Sequence, residues 1–409
     1  RGRLPDTWQA GGKGGDGMKK LDRKYKNRIL VLLFSAMFIF ISLSPLVPMA
    51  EVDSRLMVNS VGIDADENGV TVTCETINGG TNEVVYGSGA MMAEALQNLN
   101  ERYGRRIELG HCGLIALGSE LKRDDAVTVL LNILSDGMIN TGCSVISAST
   151  SAREFISKAV LLTKSTGSGI SGFVSFSDAQ ASVTIPSVLE TVQALKSKSG
   201  AAALPIVGLK DKEEDKGQGS GGTQGTGVTE QSTSQNDAGS KETEIEPPST
   251  ARVFGSETYE LSEEDARGFV WLLPRTKGGM VEADMETEGQ TFVLRAVVED
   301  KKTSIEPELV GGNPVITIKV DARLRFVQRY AILAEVEAGE ELNALLDRMN
   351  AAYEKRIEEE VRRTAELSLK DDFLGFRTRL YRRDPSGFSA WSGDLSGAEL
   401  RFDIKASVL

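Results

Sequence analysis

Alternation of apolar and polar residues is strongest between positions 315 and 327. Ile316, Ile318, Val320, Ala322, Leu324 and Phe326 share one parity, while Thr317, Lys319, Asp321, Arg323 and Arg325 share the other. A period of two puts one set on each face of a strand, so this segment predicts a half-buried strand of an antiparallel sheet. Residues 399–408 repeat the pattern with Leu400, Phe402, Ile404, Ala406 and Val408, and residues 291–299 predict a third strand. Between them the period changes. Leu342, Leu345, Leu346, Met349, Tyr353, Ile357 and Val361 fall at helical spacing and predict a long helix over 340–369, laid across one face of the sheet. Upstream, Ser262-Glu263-Glu264-Asp265 reads as a capped helix start; that helix carries Phe269, Trp271, Leu272 and Leu273 and ends at Pro274 and Gly278-Gly279.

The preceding half alternates strand-like and helix-like stretches. Residues 58–64 and 70–77 predict paired strands about a turn at 64–69. A helix over 89–103 carries Met92, Leu96, Leu99 and Tyr103 on one face, and a largely apolar strand follows at 107–117. A second helix begins at Ser119 and turns Val127, Leu130, Leu131 and Leu134 inward. A strand at 143–148 and a short helix capped by Thr150, with Phe155 and Ile156, complete a mixed α/β pattern of a sheet covered by helices. Residues 210–249 hold only Val228, Ala238 and Ile245 as apolar residues. Such a segment buries too little surface to offset its ordering entropy and is predicted to be disordered. No internal repeat is present.

The run 29–49 carries no charge, and Lys19, Lys20, Arg23, Lys24, Lys26 and Arg28 precede it with only Asp22 opposing. A basic flank before about 20 apolar residues is the layout of a signal anchor, with the flank cytoplasmic and the bulk of the chain outside. A cut after Ala50 would place Pro48 three residues upstream, against the small-x-small rule, so the segment is expected to stay uncleaved. Residues 1–17 are Gly-rich and patternless; they read as upstream translation and are set aside from fold reasoning.

Charge narrows the function classes. The first fifty residues hold nine Lys/Arg and three Asp/Glu, net +6, so the remainder of a chain of formal charge −12 carries −18. An acidic ectodomain argues against nucleic-acid binding, which needs a basic face. Cys74, Cys112 and Cys143 are odd in number and widely spaced, which is not a disulfide framework; one pair could form, and small buried thiols are the preferred reading. His111 is the single histidine, which removes any two-histidine metal site; lying beside Cys112 in a predicted strand, it would point to the opposite face. Gly87-Ser88-Gly89 begins like a dinucleotide fingerprint, but Met92 stands where the third glycine belongs, so helix capping is the better reading. Glu354, Glu358, Glu359 and Glu360, among Lys355, Arg356, Arg362 and Arg363, read as an ion-paired helix face. Trp271 reads as core, and Trp391, between Ser389 and Gly393, as a candidate interface residue. No catalytic constellation, metal site or cofactor is implied.

Several segments then carry a resemblance. EVDSRLMVNSVGID at 51–64, RRIELGHCGLIALGSEL at 105–121, ARVFGSETYELSEEDARGFVWLLPRTKGG at 251–279 and DDFLGFRTRLYR at 371–382 are similar, in this order, to segments of the Ger(x)C family, the C subunits of spore germinant receptors. The resemblance implies a membrane-tethered α+β ectodomain of about three small mixed α/β domains, the last an antiparallel sheet with a long helix. The boundaries expected are a cytoplasmic stretch 1–28, an anchor 29–49, and domains 51–165, 166–285 and 286–409, with 210–249 an enlarged loop inside the second. Family members usually carry a lipidated cysteine just before the opening strand; here Leu46 occupies that place, and the helix at 29–49 is expected to replace the lipid as anchor.

The function so implied is that of a non-enzymatic accessory subunit. It would work beside the membrane-embedded A and B subunits on the outer face of the spore inner membrane, through assembly and signal coupling. Two other classes remain open: a membrane-anchored substrate- or cell-wall-binding module, which an aromatic cleft around Trp391 would favour, and an exported hydrolase, which a carboxylate pair at glycosidase spacing would revive.

Overall fold

The computed structural model describes residues 23–43, 55–78, 81–135, 137–162, 169–172, 183–211, 243–246, 248–273, 279–287, 290–327 and 340–409. The chain divides into two compact units, Arg1–Ser54 and Arg55–Leu409. In the first, helix α1 spans Arg23–Leu43, and its apolar side chains from Ile29 to Ile39 are exposed, Phe38 to 73%. Among the described residues no helix is long and apolar enough to cross a membrane. The part of the expected span from 44 to 49 lies outside the described residues.

The second unit opens with strands β1 (Arg55–Asp66), β2 (Gly69–Asn78) and β3 (Thr81–Gly89), and helix α2 (Met92–Tyr103). Strands β4 (Arg106–Glu108) and β5 (Leu114–Leu117) follow, then α3 (Arg123–Ser135), β6 (Ser144–Ala148), α4 (Ala152–Leu162) and a helical turn α5 at 169–172. Helix α6 (Val188–Lys196) leads to β7 (Ala202–Val207), the short pair β8 (Leu209–Asp211) and β9 (Thr243–Ile245), then β10 (Thr250–Phe254) and β11 (Thr258–Glu260). Apart from β8 and β9, which pair as a sheet of their own, one sheet takes these strands in the order β11-β10-β7-β6-β5-β1-β2-β3, with β4 also pairing β1. Its middle, β7-β6-β5-β1, is parallel and its flanks antiparallel. Strands from the 51–165 and 166–285 segments share it.

Both faces of the middle strands are covered, which is why β5 reads as the unbroken apolar run Leu-Ile-Ala-Leu. Helices α2, α3 and α6 close one face, where Ile63, Val72, Ile115 and Leu117 meet Leu99, Leu130 and Leu195. Helix α4 closes the other, packing Phe155, Ile156 and Val160 on Leu114, Ala116 and Ile146. The strand expected at 107–117 is broken. Strand β1 carries an irregularity between Val58 and Ser60, and the Gly113 N–H donates to Asn59 O at 2.9 Å, so β4 and β5 pair with β1 on either side of the step. His111 therefore sits in an exposed turn, not in a strand. Helix α3 buries Ala126, Val129, Leu130 and Ile133, while Val127, Leu131 and Leu134 are half-buried. The stripe is rotated toward α6 because Arg123 ties the helix start there, donating to Gly200 O at 2.8 Å and Leu195 O at 3.1 Å.

Short helices α7 (Glu263–Ala266) and α8 (Phe269–Leu272) precede a second sheet, β12 (Met280–Thr287), β13 (Gln290–Val310), β14 (Asn313–Phe326) and β15 (Glu399–Val408), in that order. Strands β13 and β14 join at Gly311-Gly312, both at positive φ (61° and 88°), as a two-residue hairpin requires. Helix α9 (Glu340–Lys370) lies on this sheet and buries Leu345, Met349, Tyr353, Ile357 and Val361, the stripe expected from its spacing. Helices α10 (Phe376–Arg383) and α11 (Pro385–Ala390) then return the chain to β15. The C-terminal antiparallel sheet with its long helix is thus present, with one refinement. Strand β15 joins β14 in parallel, because the connection between them is a crossover through three helices, not a hairpin.

Candidate functional site

The carboxyl ends of parallel strands are where open α/β sheets usually receive ligands. Here that edge is filled by the chain itself. Asp64, at the end of β1, accepts the Ala152 N–H on Oδ1 at 2.8 Å and the Arg153 N–H on Oδ2 at 2.9 Å. A helix amino end is an anion site, and at α4 the anion is this carboxylate. Beside it the Gly118 N–H donates to Ile63 O, Ser119 N–H to Thr150 O, and Ser149 N–H to Val207 O, which knits the ends of β1, β5, β6 and β7 together. Arg252 of β10 lies beneath, 4% exposed. Its Nη1 donates to Ser147 Oγ at 2.5 Å, Ala148 O at 3.4 Å and Gly118 O at 3.5 Å, and its Nη2 pairs with Glu260.

A second polar junction forms where α9 meets α10, at Asp371-Asp372-Phe373-Leu374-Gly375-Phe376. Asp371 Oδ1 accepts the Ser256 N–H at 2.8 Å and its hydroxyl at 2.7 Å, tying α9 to the β10–β11 hairpin. The approach is close enough that a Cβ on Gly255 would stand 2.5 Å from that oxygen. Tyr259 of the same hairpin has its hydroxyl pushed up to about 12, by burial first and the Asp371 carboxylate second. Asp372 is fully buried and caps α10, accepting Phe376 N–H at 2.6 Å and Arg377 N–H at 2.7 Å. Burial raises its carboxyl above the ordinary range, and the bonds from Arg377, Ser199 and Phe376 oppose the rise. Ser199, after α6, meets the Thr378 hydroxyl at 2.8 Å. Glu75 is another buried acid held this way; it accepts Asn82 Nδ2 at 3.0 Å and Ile170 N–H at 3.4 Å, with its carboxyl raised by burial. These acids accept hydrogen bonds from backbone, hydroxyl and side-chain amide groups, and the geometry clamps elements together.

The remaining sequence candidates fall as follows. Gly87 and Gly89 serve close packing rather than capping: a Cβ on either would lie 2.6 Å from the backbone of Ala95 in α2. Glu358 pairs with Arg362 at 2.5 Å and Glu360 with Arg356 at 2.9 Å, but Glu360 also accepts Trp271 Nε1 at 2.7 Å and Glu354 the Ala406 N–H at 3.1 Å, so two of these glutamates are structural. Trp271 is buried in the C-terminal core. Trp391 is half-buried at the end of α11 and stacks edge-on against Phe388 at 5.6 Å, which meets Tyr381 of α10 at 5.5 Å. Lys198 stands over the Tyr381 ring at 5.1 Å. Spacing in the sequence did not link these aromatics, since α10 and α11 are short and adjoin through a turn. The apolar groove of about 240 Å³ lies elsewhere, between α6, β7 and α8, lined by Ile185, Pro186, Ala203, Phe269, Leu273 and Phe373.

Residues 48–209 match the family described as Spore germination protein N-terminal domain, and residues 250–408 match Spore germination B3/GerAC like, C-terminal. No curated protein matches the chain. The solved structure titled "Crystal Structure of the GerBC protein" aligns with a TM-score of 0.48 and 14% identity, over 85% of this chain and 96% of that chain. The two family matches lie either side of the 210–249 segment and together account for most of the chain: it belongs to the Ger(x)C family of spore germination proteins.

Proposed function

We propose that this chain is a non-enzymatic accessory C subunit of a nutrient germinant receptor. It acts in spore germination by assembling with A- and B-type membrane subunits and coupling their signal. It is held at the outer face of the spore inner membrane by the apolar segment 29–49, in the absence of a cysteine that could carry a lipid. One observation carries the reading. The polar residues of the family-like segments, Asp64, Arg252, Asp371 and Asp372, make their bonds inside the chain. What they support is a rigid body whose work is contact with other proteins. The half-exposed aromatic group Tyr381, Phe388 and Trp391 is the surface we assign to such contact, since aromatic side chains dominate protein interfaces.

The experiment is dipicolinic acid release from spores lacking the gene, against a panel of amino-acid and sugar germinants. Selective loss of one nutrient response, restored by the intact gene, is the expected result. Normal release to every nutrient would remove the receptor reading and bring the cell-wall-binding class forward.

A further inference from the structure

Cys112 and Cys143 approach each other beside two neighbouring parallel strands. Cys112 ends the turn before β5, and Cys143 immediately precedes β6; β5 and β6 pair from Leu114 and Ser144 onward. The two sulfurs stand 3.9 Å apart, and both residues are 2% exposed. Each cysteine is fixed by its own turn: the Cys112 N–H donates to Leu109 O and the Cys143 N–H to Asn140 O, both at 2.9 Å. Cys74, the third thiol, lies in the same core on β2 and interacts electrostatically with Cys112, but the hydrogen-bonded sulfur pair is Cys112 and Cys143. A disulfide needs sulfurs about 2.05 Å apart. Side-chain rotation can close the gap of about 2 Å, because the strand pairing already holds the two backbones side by side.

We propose that Cys112 and Cys143 form an oxidisable dithiol, which closes to an intramolecular disulfide on meeting a low-molecular-weight disulfide. The Cys112 thiol loses its proton and attacks one sulfur of the oxidant; the oxidant's S–S bond breaks and one thiolate leaves. Cys143, deprotonated in turn, attacks Cys112 Sγ; the Cys112–Cys143 bond forms and the second thiolate leaves. Two protein thiols are oxidised, one external disulfide is reduced, and the two protons pass to the two departing thiolates. The bond it donates to Cys112, and burial after it, hold Cys143 protonated at rest. Reaction therefore awaits local opening of the turns and is slow. The product ties residues 109–113 to residues 140–143 and encloses α3 in a covalent loop. This inference does not depend on the receptor reading.

The test uses the full chain, folded, treated with cystine, then unfolded in the presence of an alkylating agent and digested with trypsin without reduction. Peptide 107–122 linked to peptide 124–153 is the expected product, with two of the three thiols lost, Cys74 still alkylated, and full recovery of thiols on reduction. The oxidised protein should also melt at a higher temperature than the reduced one. Three titratable thiols after prolonged oxidation, in a sample whose unfolded control is oxidised, would overturn the proposal. A linkage through Cys74 would overturn it equally. Cys112→Ser removes the linked peptide if the pairing is right, and Cys74→Ser leaves it in place.

Discussion

Replacing Asp64 by Ala tests the reading of the strand ends most sharply. The carboxylate supplies two charge-assisted acceptors to the first turn of α4, at 2.8 and 2.9 Å, from a residue 88 positions away in sequence. Loss of a capping acceptor costs about 1 kcal/mol, a second bond to a charged group about 1.5 kcal/mol, and the charge at the helix amino end about 0.5 kcal/mol. The sum is about 3 kcal/mol, or roughly a hundredfold in local opening. Hydrogen exchange followed by mass spectrometry reads this locally. Amides of α4 should exchange about a hundredfold faster in D64A, while the β13–β14 hairpin is unchanged. Asp64→Asn keeps one acceptor and should give about half the loss in free energy. Asp64→Ser, a good local cap elsewhere, should behave like Ala because its shorter side chain cannot span from β1 to α4. Unchanged α4 exchange in D64A, together with lost germination, would refute the reasoning and give Asp64 a direct role in function.

Arg252→Lys should destabilise the folded chain by about 3 kcal/mol in urea unfolding, since an ammonium cannot reach Ser147, Ala148 and Glu260 together and leaves buried acceptors unmatched. For Asp372 the sign follows from its raised carboxyl. The protonated form is favoured on folding, so its contribution is full below about 4, the unfolded value, and is lost as pH rises through the raised folded value. The stability of the wild-type chain relative to D372N should therefore fall as pH rises above 4, and a difference independent of pH would contradict this. Trp391→Ala should cost at most about 1 kcal/mol of stability, because the ring is only half-buried, yet slow nutrient germination; a fully normal response would remove the aromatic group from the interface.

What was legible in the sequence followed its periodicities. The alternation in β14 and the stripe from Leu345 to Val361 identify a sheet and its helix because each pattern persists long enough to exclude the other period. The break between β4 and β5 left no such trace. Residues 107–117 are largely apolar, and the step arises from a bulge on a different strand, β1. The parallel docking of β15 was likewise hidden, since a half-buried strand reads the same whichever way its neighbour runs. Asp64, Ser256 and Asp371 were visible only as residues of the family-like segments. Asp64 and α4, Asp371 and Ser256, or Cys112 and Cys143 meet across separations of 88, 115 and 31 residues, and only the fold brings them together.

The most direct test of the account is recovery of the tagged full chain from detergent-solubilised spore inner membranes, with its companions identified by mass spectrometry. Co-recovery of a polytopic A-type subunit and a permease-like B-type subunit, reduced by Trp391→Ala, is the result predicted. Recovery of the chain from that fraction without either subunit, or with peptidoglycan instead, would contradict the proposal that it works as a receptor subunit.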